Sequence, residues 1–329
     1  MNILERIDLI KTKTIMILAL LFLAVPGFLK FGTQKIFYHM LTAVLIAGFL
    51  DFLFVYIKKK NLAFPDSGIV TGLVVALILR PGLNMWIVSA TAVLAIVSKY
   101  ILRYHRGHIF NPANFGLLMS LLLFNVELSW WGDSSKWLVI IVGTLIAIKY
   151  KKLPLVFSFL ITGIVVMGFY SLKRDGDMLS SLLMLNYFFV FIMVTDPKTS
   201  PINSWGRILY GIITALFTTG FMVFDWPRGN YWVFGLACSN ITVPFINWLT
   251  LRKSANPRVE DTKANLKICA ENCGKCPTFP GGAAGLLYCA GGKTLPSDTK
   301  KKGCRCPVCD VQKKYGSTGT YYCMYGKSK

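Results

Sequence analysis

The sequence predicts an all-α polytopic membrane protein of about ten transmembrane segments, arranged as a 5+5 repeat with broken helices. A small, metal-stabilised, cysteine-rich C-terminal domain follows it. Three observations predict this. The chain is 54% hydrophobic with a mean hydropathy of +0.53, and its apolar residues come in runs near the ~17–25 residues that a bilayer needs. Lys and Arg gather in alternate loops between those runs. Eight of the nine cysteines fall between Cys269 and Lys329, after the last run. The boundary separates a membrane domain, 1–252, from a cysteine-rich domain, 253–329.

The apolar segments are 14–31, 36–57, 68–81, 85–102, 111–124, 137–149, 153–172, 179–195, 206–223 and 231–250. No small-residue cleavage site follows the first, so it reads as a retained helix. Two are too short to span: 68–81, which ends at Arg80-Pro81-Gly82, and 111–124, which opens at Asn111-Pro112. Irregular backbone at membrane depth survives only where protein or a cavity covers it, so short segments mark a ligand site between repeats. The halves echo one another. Asn111-Pro112-Ala113-Asn114 opens the fifth segment, and Ser239-Asn240 with Val243-Pro244 interrupts the tenth. The third segment runs into Arg80-Pro81-Gly82, and the eighth into Thr195-Asp196-Pro197. Asn and Pro are also ordinary at helix ends, which is the competing reading.

Loop charge sets the orientation. Lys11 and Lys13 precede the first segment, Lys58-Lys59-Lys60 follow the second, and Arg103, His105, Arg106 and His108 follow the fourth. Lys151 and Lys152 follow the sixth, Lys198 and Arg207 flank the loop after the eighth, and Arg252 and Lys253 follow the tenth. In the alternate loops acidic residues offset the basic ones: Glu127 and Asp133 offset Lys136, and Asp225 offsets Arg228. The positive-inside rule puts both termini in the cytoplasm of a multi-pass protein of the cell (inner) membrane. The net charge of +21 is thereby accounted for, and nucleic acid is not expected as a partner.

The cysteines form two quartets, Cys269, Cys273, Cys276, Cys289 and Cys304, Cys306, Cys309, Cys323, each closing on a Tyr-Cys-x-x-Gly-Lys segment. A reducing compartment disfavours disulfides, so the thiols read as metal ligands. Cys273/Cys276 and Cys306/Cys309 are spaced so that both sulfurs of a pair face one metal from a single turn. Four thiolates complete either a tetrahedral zinc site or an iron–sulfur cubane, and spacing alone leaves both open. From Ala255 onward the chain offers little apolar surface, so metal is expected to supply much of this domain's folding free energy. Cys238 lies inside the tenth segment and reads as a small buried hydrophobe. The three histidines show no metal spacing, and no dinucleotide or Walker motif is present.

Four stretches resemble one family. His108-Ile109-Phe110-Asn111-Pro112-Ala113-Asn114-Phe115-Gly116 looks like the Phe-Asn-Pro-Ala segment of the RnfD/NqrB family of membrane electron-transport subunits. Asp66-Ser67-Gly68-Ile69-Val70-Thr71-Gly72, Met193-Val194-Thr195-Asp196-Pro197, and Asn240 with Val243-Pro244-Phe245-Ile246 look similar to it too. Together they span about residues 35–250. The resemblance implies a flavin (FMN or riboflavin) inside the membrane domain, near Asn111, Asn114, Thr195 and Asp196. Amide and carboxylate groups suit the donor and acceptor edges of the ring. At a segment end Asp196 is equally suited to capping a helix or starting a turn. Family members carry a covalent flavin on the threonine of a Ser/Thr-Gly-Ala-Thr motif. This chain lacks the motif, so its flavin is expected to be noncovalent.

A flavin-type membrane domain needs an electron entry on its cytoplasmic face. That context favours two iron–sulfur clusters of the 4Fe–4S type over Zn2+ in the tail. Lys300-Lys301-Lys302 and Arg305 beside the second quartet suit an acidic soluble carrier such as ferredoxin or flavodoxin. The expected partners are thus the lipid bilayer, that carrier and other membrane subunits. The expected function is electron transfer from carrier through clusters to flavin and on to a membrane acceptor. The rival reading is a non-redox transporter, channel or scaffold subunit with a zinc-stabilised regulatory tail.

Overall fold

A computed structural model describes residues 12–60, 62–104, 107–172, 184–227, 230–253, 259–278, 287–291, 300–315 and 319–325. The loop positions Lys11, His105, Arg106 and Arg228 and the start of the eighth segment lie outside the described residues. The chain divides into two compact units, Met1–Thr250 and Leu251–Lys329.

The first unit is helical. It contains α1 (Thr12–Phe31), α2 (Thr33–Lys59), α3 (Asp66–Ile78), α4 (Met85–Ile101), α5 (Pro112–Phe124), α6 (Lys136–Lys149) and α7 (Leu153–Leu172). A π-helical stretch (Phe189–Met193), α8 (Ser204–Val223) and α9 (Tyr231–Lys253) complete it. The all-α expectation has one small exception, a two-residue antiparallel ladder of β1 (Arg103–Tyr104) with β2 (Gly107–His108). Among the described residues five helices are long and apolar enough to cross a bilayer: α1, α2, α7, α8 and α9. Ten segments are expected from the sequence, with 68–81 and 111–124 too short to span, and those two are the short helices α3 and α5. α3 and α5 have 13 residues each, about 20 Å of helix at ~1.5 Å per residue, against ~30 Å of hydrocarbon. The chain is a multi-pass membrane protein with short helices among full ones.

The ends of the short helices are closed by the loop after α5. Ser129 and Trp130 donate backbone N–H groups to the Ile78 carbonyl, at 2.9 and 3.1 Å, and Trp131 Nε1 donates to the Ala76 carbonyl at 2.7 Å. Trp131 is fully buried, so the broken helix α3 ends inside protein with its Ala76 and Ile78 carbonyls satisfied. The predicted interruption of the tenth segment is not found. α9 is one 23-residue helix with Pro244 inside it. Neighbouring side chains serve backbone carbonyls there: Ser239 Oγ bonds the Gly235 carbonyl at 2.7 Å, and Thr242 Oγ1 bonds that of Ser239 at 2.7 Å.

Small residues set the packing. α8 lies on α7, and α2 lies on α3. A Cβ at Gly211 would sit 2.5 Å from the Leu155 carbonyl, and one at Gly72 would sit 2.7 Å from that of Ala43. Backbones approach this closely only where glycine stands, the usual means of helix association in lipid. The outward faces carry Phe22, Leu29, Phe49, Leu122, Ile161, Phe169 and Leu216, all exposed, as a lipid-facing surface requires.

The second unit has α10 (Lys263–Cys273) and α11 (Tyr288–Gly291), a 3-10 turn (Cys306–Val308), α12 (Asp310–Lys314) and α13 (Tyr322–Tyr325). α10 is capped by Thr262, whose hydroxyl accepts from Asn265 N–H at 3.2 Å. Its buried cluster is Val259, Cys269, Leu287, Cys309, Val311 and Tyr315, so two of six core residues are cysteines.

Candidate functional site

Two sites stand out, one in each unit. In the membrane unit a cavity of about 130 Å³ is lined by Lys13, Ser67, Thr71, His108, Asn111, Asp196 and Lys198, among others. It forms where α1, α3 and α5 begin and the π-helical stretch ends. Asn111 caps α5, its side-chain oxygen accepting from Asn114 N–H at 3.2 Å. Its amide nitrogen reaches the Met193 carbonyl and Asp196 Oδ2, each at 3.4 Å. The Asn-Pro-Ala and Thr-Asp-Pro segments, far apart in sequence, therefore meet at this wall. A π-helical turn beside it offsets the chain so that Asp196 faces Asn111.

Asp196 is half-buried and holds its own loop. Its carboxylate accepts from Lys198 N–H at 3.2 Å and from Thr199 Oγ1 at 3.0 Å. Burial pushes its pKa up, partly offset by those hydrogen bonds and by the charges of Lys198 and Lys152. His108 is held near 4, first by burial and then by Lys198 and Lys99, so it is neutral at physiological pH. Two predicted residues do not line the cavity. Asn114 is fully buried and donates to the Val233 carbonyl at 3.0 Å. The Thr195 hydroxyl donates to the Phe191 carbonyl within its own stretch at 2.5 Å. Both support the wall and do not face the cavity.

A second polar cluster, not singled out by any sequence motif, adjoins this site. Asp51 on α2 and Lys99 on α4 form a buried ion pair, 2% and 6% exposed. Lys99 Nζ also donates to Ser67 Oγ at 2.8 Å, and Tyr100 OH donates to Asp51 Oδ1 at 2.7 Å. Ser67 is shared with the cavity. The available signal was a single charge within each of two apolar segments, which is rare and seldom idle. Lys152 is the third buried charge here, donating to Ser200 Oγ at 2.6 Å and the Pro201 carbonyl at 3.3 Å. Burial lowers its pKa to about 8.

In the second unit all eight tail cysteines line one cavity, together with Asn272, Tyr288, Arg305 and Tyr322. The quartets come together because their segments are stitched to one another. Thr278 Oγ1 donates to the Gly303 carbonyl at 2.6 Å and accepts from Lys302 N–H at 3.0 Å, while Asn265 Nδ2 bonds Tyr315 OH at 2.9 Å. Two backbone donors point at sulfur: Leu287 N–H to Cys269 Sγ and Tyr321 N–H to Cys304 Sγ, each at 3.2 Å. All nine cysteines are free thiols. Among the described residues no three Cys, His, Asp or Glu side chains are closed to metal-binding geometry. Cys269 is drawn down to about 7, first by its contact with Cys273 and also by the Leu287 N–H, against burial. Burial pushes Cys289 up to about 11 and Cys306 to about 12. The donor set fits a thiolate-ligated metal: eight sulfurs on one cavity, N–H groups directed at two of them, and Arg305 at its edge. Lys300, Lys301 and Lys302 lie alongside, Lys301 over the Tyr321 and Tyr325 rings.

Fold and sites together define a multi-pass helical membrane protein with a polar cavity among its short helices, joined to a separate thiol-rich unit. The profile of the NQR2, RnfD, RnfE family matches residues 3–136 and 132–256, and the chain belongs to that family. Residues 269–324 match the family described as "Protein of unknown function (DUF2769)". A curated relative is a subunit of the ion-translocating oxidoreductase complex of Methanosarcina acetivorans. It is 26% identical over 242 residues, 65% of this chain and 81% of that protein.

Proposed function

We propose that this chain is a membrane electron-transfer subunit. A cytoplasmic protein donor, an acidic carrier of the ferredoxin or flavodoxin kind, reduces two iron–sulfur clusters held by the eight tail cysteines. A noncovalent flavin in the membrane unit takes the electrons and passes them to an acceptor in or across the membrane. Both termini are cytoplasmic, and further membrane subunits complete the assembly, in keeping with the relative's description as part of a complex. The observation that carries this reading is the single cavity onto which all eight tail cysteines converge, on a chain whose membrane unit belongs to this family.

Each group has a task within this reading. Asn111 and Asp196, with Ser67 and Thr71, present donors and acceptors to a ring in the membrane cavity. Lys198 and Lys13 bring positive charge that stabilises an anionic reduced ring. Asn114 and Thr195 fix the wall that orients Asn111 and Asp196. The flavin supplies conversion between one- and two-electron steps, and the clusters supply single-electron transfer. In the thiol unit the Leu287 and Tyr321 N–H groups withdraw charge from sulfur and raise the potential of whatever metal centre the sulfurs hold.

The test is composition. The chain is purified anaerobically in detergent, and iron, acid-labile sulfide, zinc and extractable flavin are measured per chain. About eight iron and eight sulfide, the content of two cubanes, with one flavin, are expected. Two zinc and no flavin would overturn the reading in favour of a structural tail.

A further inference from the structure

The eight thiols divide by neighbourhood in a way that chain order does not. Cys269 and Cys273 lie one helical turn apart on α10, with their sulfurs 3.2 Å from each other. Cys289 and Cys309 join them in the same buried cluster around Val259, Leu287 and Val311. Cys276, Cys304, Cys306 and Cys323 are absent from that cluster. Cys276 instead turns toward the second quartet: its thiol donates to the Gly303 carbonyl at 3.7 Å, next to Cys304.

The two halves repeat one local design. Leu287 and Tyr321 both have left-handed backbone, φ 60° and 53°. Each precedes a one-turn Tyr-Cys helix, and each donates its N–H to the first cysteine of its own quartet. The Cys-x-x-Cys turns also match. Cys276 N–H bonds the Cys273 carbonyl, and Cys309 N–H bonds the Cys306 carbonyl, each at 3.0 Å. In both turns the two cysteines part company: Cys273 packs in the Val259 cluster and Cys276 does not, while Cys309 packs in it and Cys306 does not.

Resting on the metal reading proposed above, we infer that the two centres are built from exchanged ligands. Cys269, Cys273, Cys289 and Cys309 hold one centre; Cys276, Cys304, Cys306 and Cys323 hold the other. Exchange of one cysteine between two centres is a known device in two-cluster ferredoxins, whose cysteine run differs from this one. It has a mechanical consequence here. Each Cys-x-x-Cys turn bridges both centres, so a few residues fix their separation, and neither half of the tail completes a site alone.

Paired substitutions in the full chain read the assignment as metal atoms per chain, whichever metal is bound. Cys289→Ala with Cys309→Ala strikes one exchanged set and is expected to leave half the metal. Cys276→Ala with Cys289→Ala strikes both and is expected to leave almost none. The opposite result would establish sequential quartets and overturn the exchange. Cys273→Ala with Cys289→Ala, which empties one site under either scheme, shows whether a half-loaded tail stays folded. If it does not, single serine variants decide by the EPR signals of the reduced centres. Cys276→Ser must perturb the same signal as Cys304→Ser, and Cys309→Ser the same signal as Cys273→Ser; the reverse pairing overturns the assignment. An unsubstituted chain without metal would end the proposed function itself, and the exchange with it.

Discussion

The two units solve the problem of stability in opposite ways. The membrane unit buries a continuous apolar core that runs from Met16 to Ile246, and glycines such as Gly72 and Gly211 bring its helices into contact. Many of its buried polar atoms are partnered inside, and others gather at one cavity. The cysteine unit has six residues in its buried cluster, and its helices are short, the longest described being the 11-residue α10. Packing suffices for the first unit, whereas on the function proposed above the second depends on what its sulfurs bind. The first is therefore vulnerable to changes of volume and the second to changes of chemistry.

The sharpest way to break that comparison is to remove the proposed metal. Treatment with a strong chelator is expected to unfold the cysteine unit, with a loss on the order of 10 kcal/mol for a structural thiolate site. Hydrogen exchange followed by mass spectrometry reads both units on one chain. Protection should vanish from 259–325 and persist in α7, α8 and α9. Equal loss in both units would mean that they do not stand separately.

A smaller effect comes from the buried ion pair. Lys99→Met leaves the Asp51 carboxylate buried without its cation, and breaking such a pair costs about 3–5 kcal/mol. Adding Asp51→Leu is expected to restore most of that stability, because a well-packed apolar pair replaces a buried ionic one at little cost. Thermal inactivation of detergent-solubilised protein measures both variants. If the double variant is no better than the single one, the ion pair with its Ser67 and Tyr100 hydrogen bonds supplies net stability of its own.

The smallest expected effect is a packing one. Gly211→Ala forces a methyl against the Leu155 carbonyl and Ser158 Oγ, and overpacking of this kind costs about 1–3 kcal/mol. The same assay should show a modest drop in the membrane unit, with no change in metal content. A change in metal content would mean that the units are coupled.

Much of this was legible in the sequence because each signal was local. Hydrophobic runs gave the helices to within a few residues, as at Leu153–Leu172, and Asn111-Pro112 announced the capped start of α5. The cysteine spacing announced the two quartets that share one cavity. What could not be read was tertiary. Pro244 looked like an interruption, yet the helix runs through it as one 23-residue element. Asn114 and Thr195 carry motif identity but spend their side chains on backbone carbonyls. The Asp51–Lys99 pair required knowing that α2 and α4 pack together. The convergence of both quartets on one cavity depends on the Thr278–Gly303 and Asn265–Tyr315 contacts, which no spacing rule encodes.

The central claim is that electrons enter at the cysteine unit and leave through the membrane unit. The most direct test is anaerobic stopped-flow absorption of the purified chain mixed with a reduced, acidic, low-potential iron–sulfur carrier. The comparison is with a chain carrying Cys269→Ala and Cys304→Ala, which damages both centres under either ligand scheme. The account predicts that flavin bleaching follows cluster bleaching in the unsubstituted chain and is at least about tenfold slower in the variant with flavin content intact, a barrier change of about 1.4 kcal/mol or more. Equal flavin reduction rates in the two would contradict it, because the membrane unit would then be taking electrons without the cysteine unit.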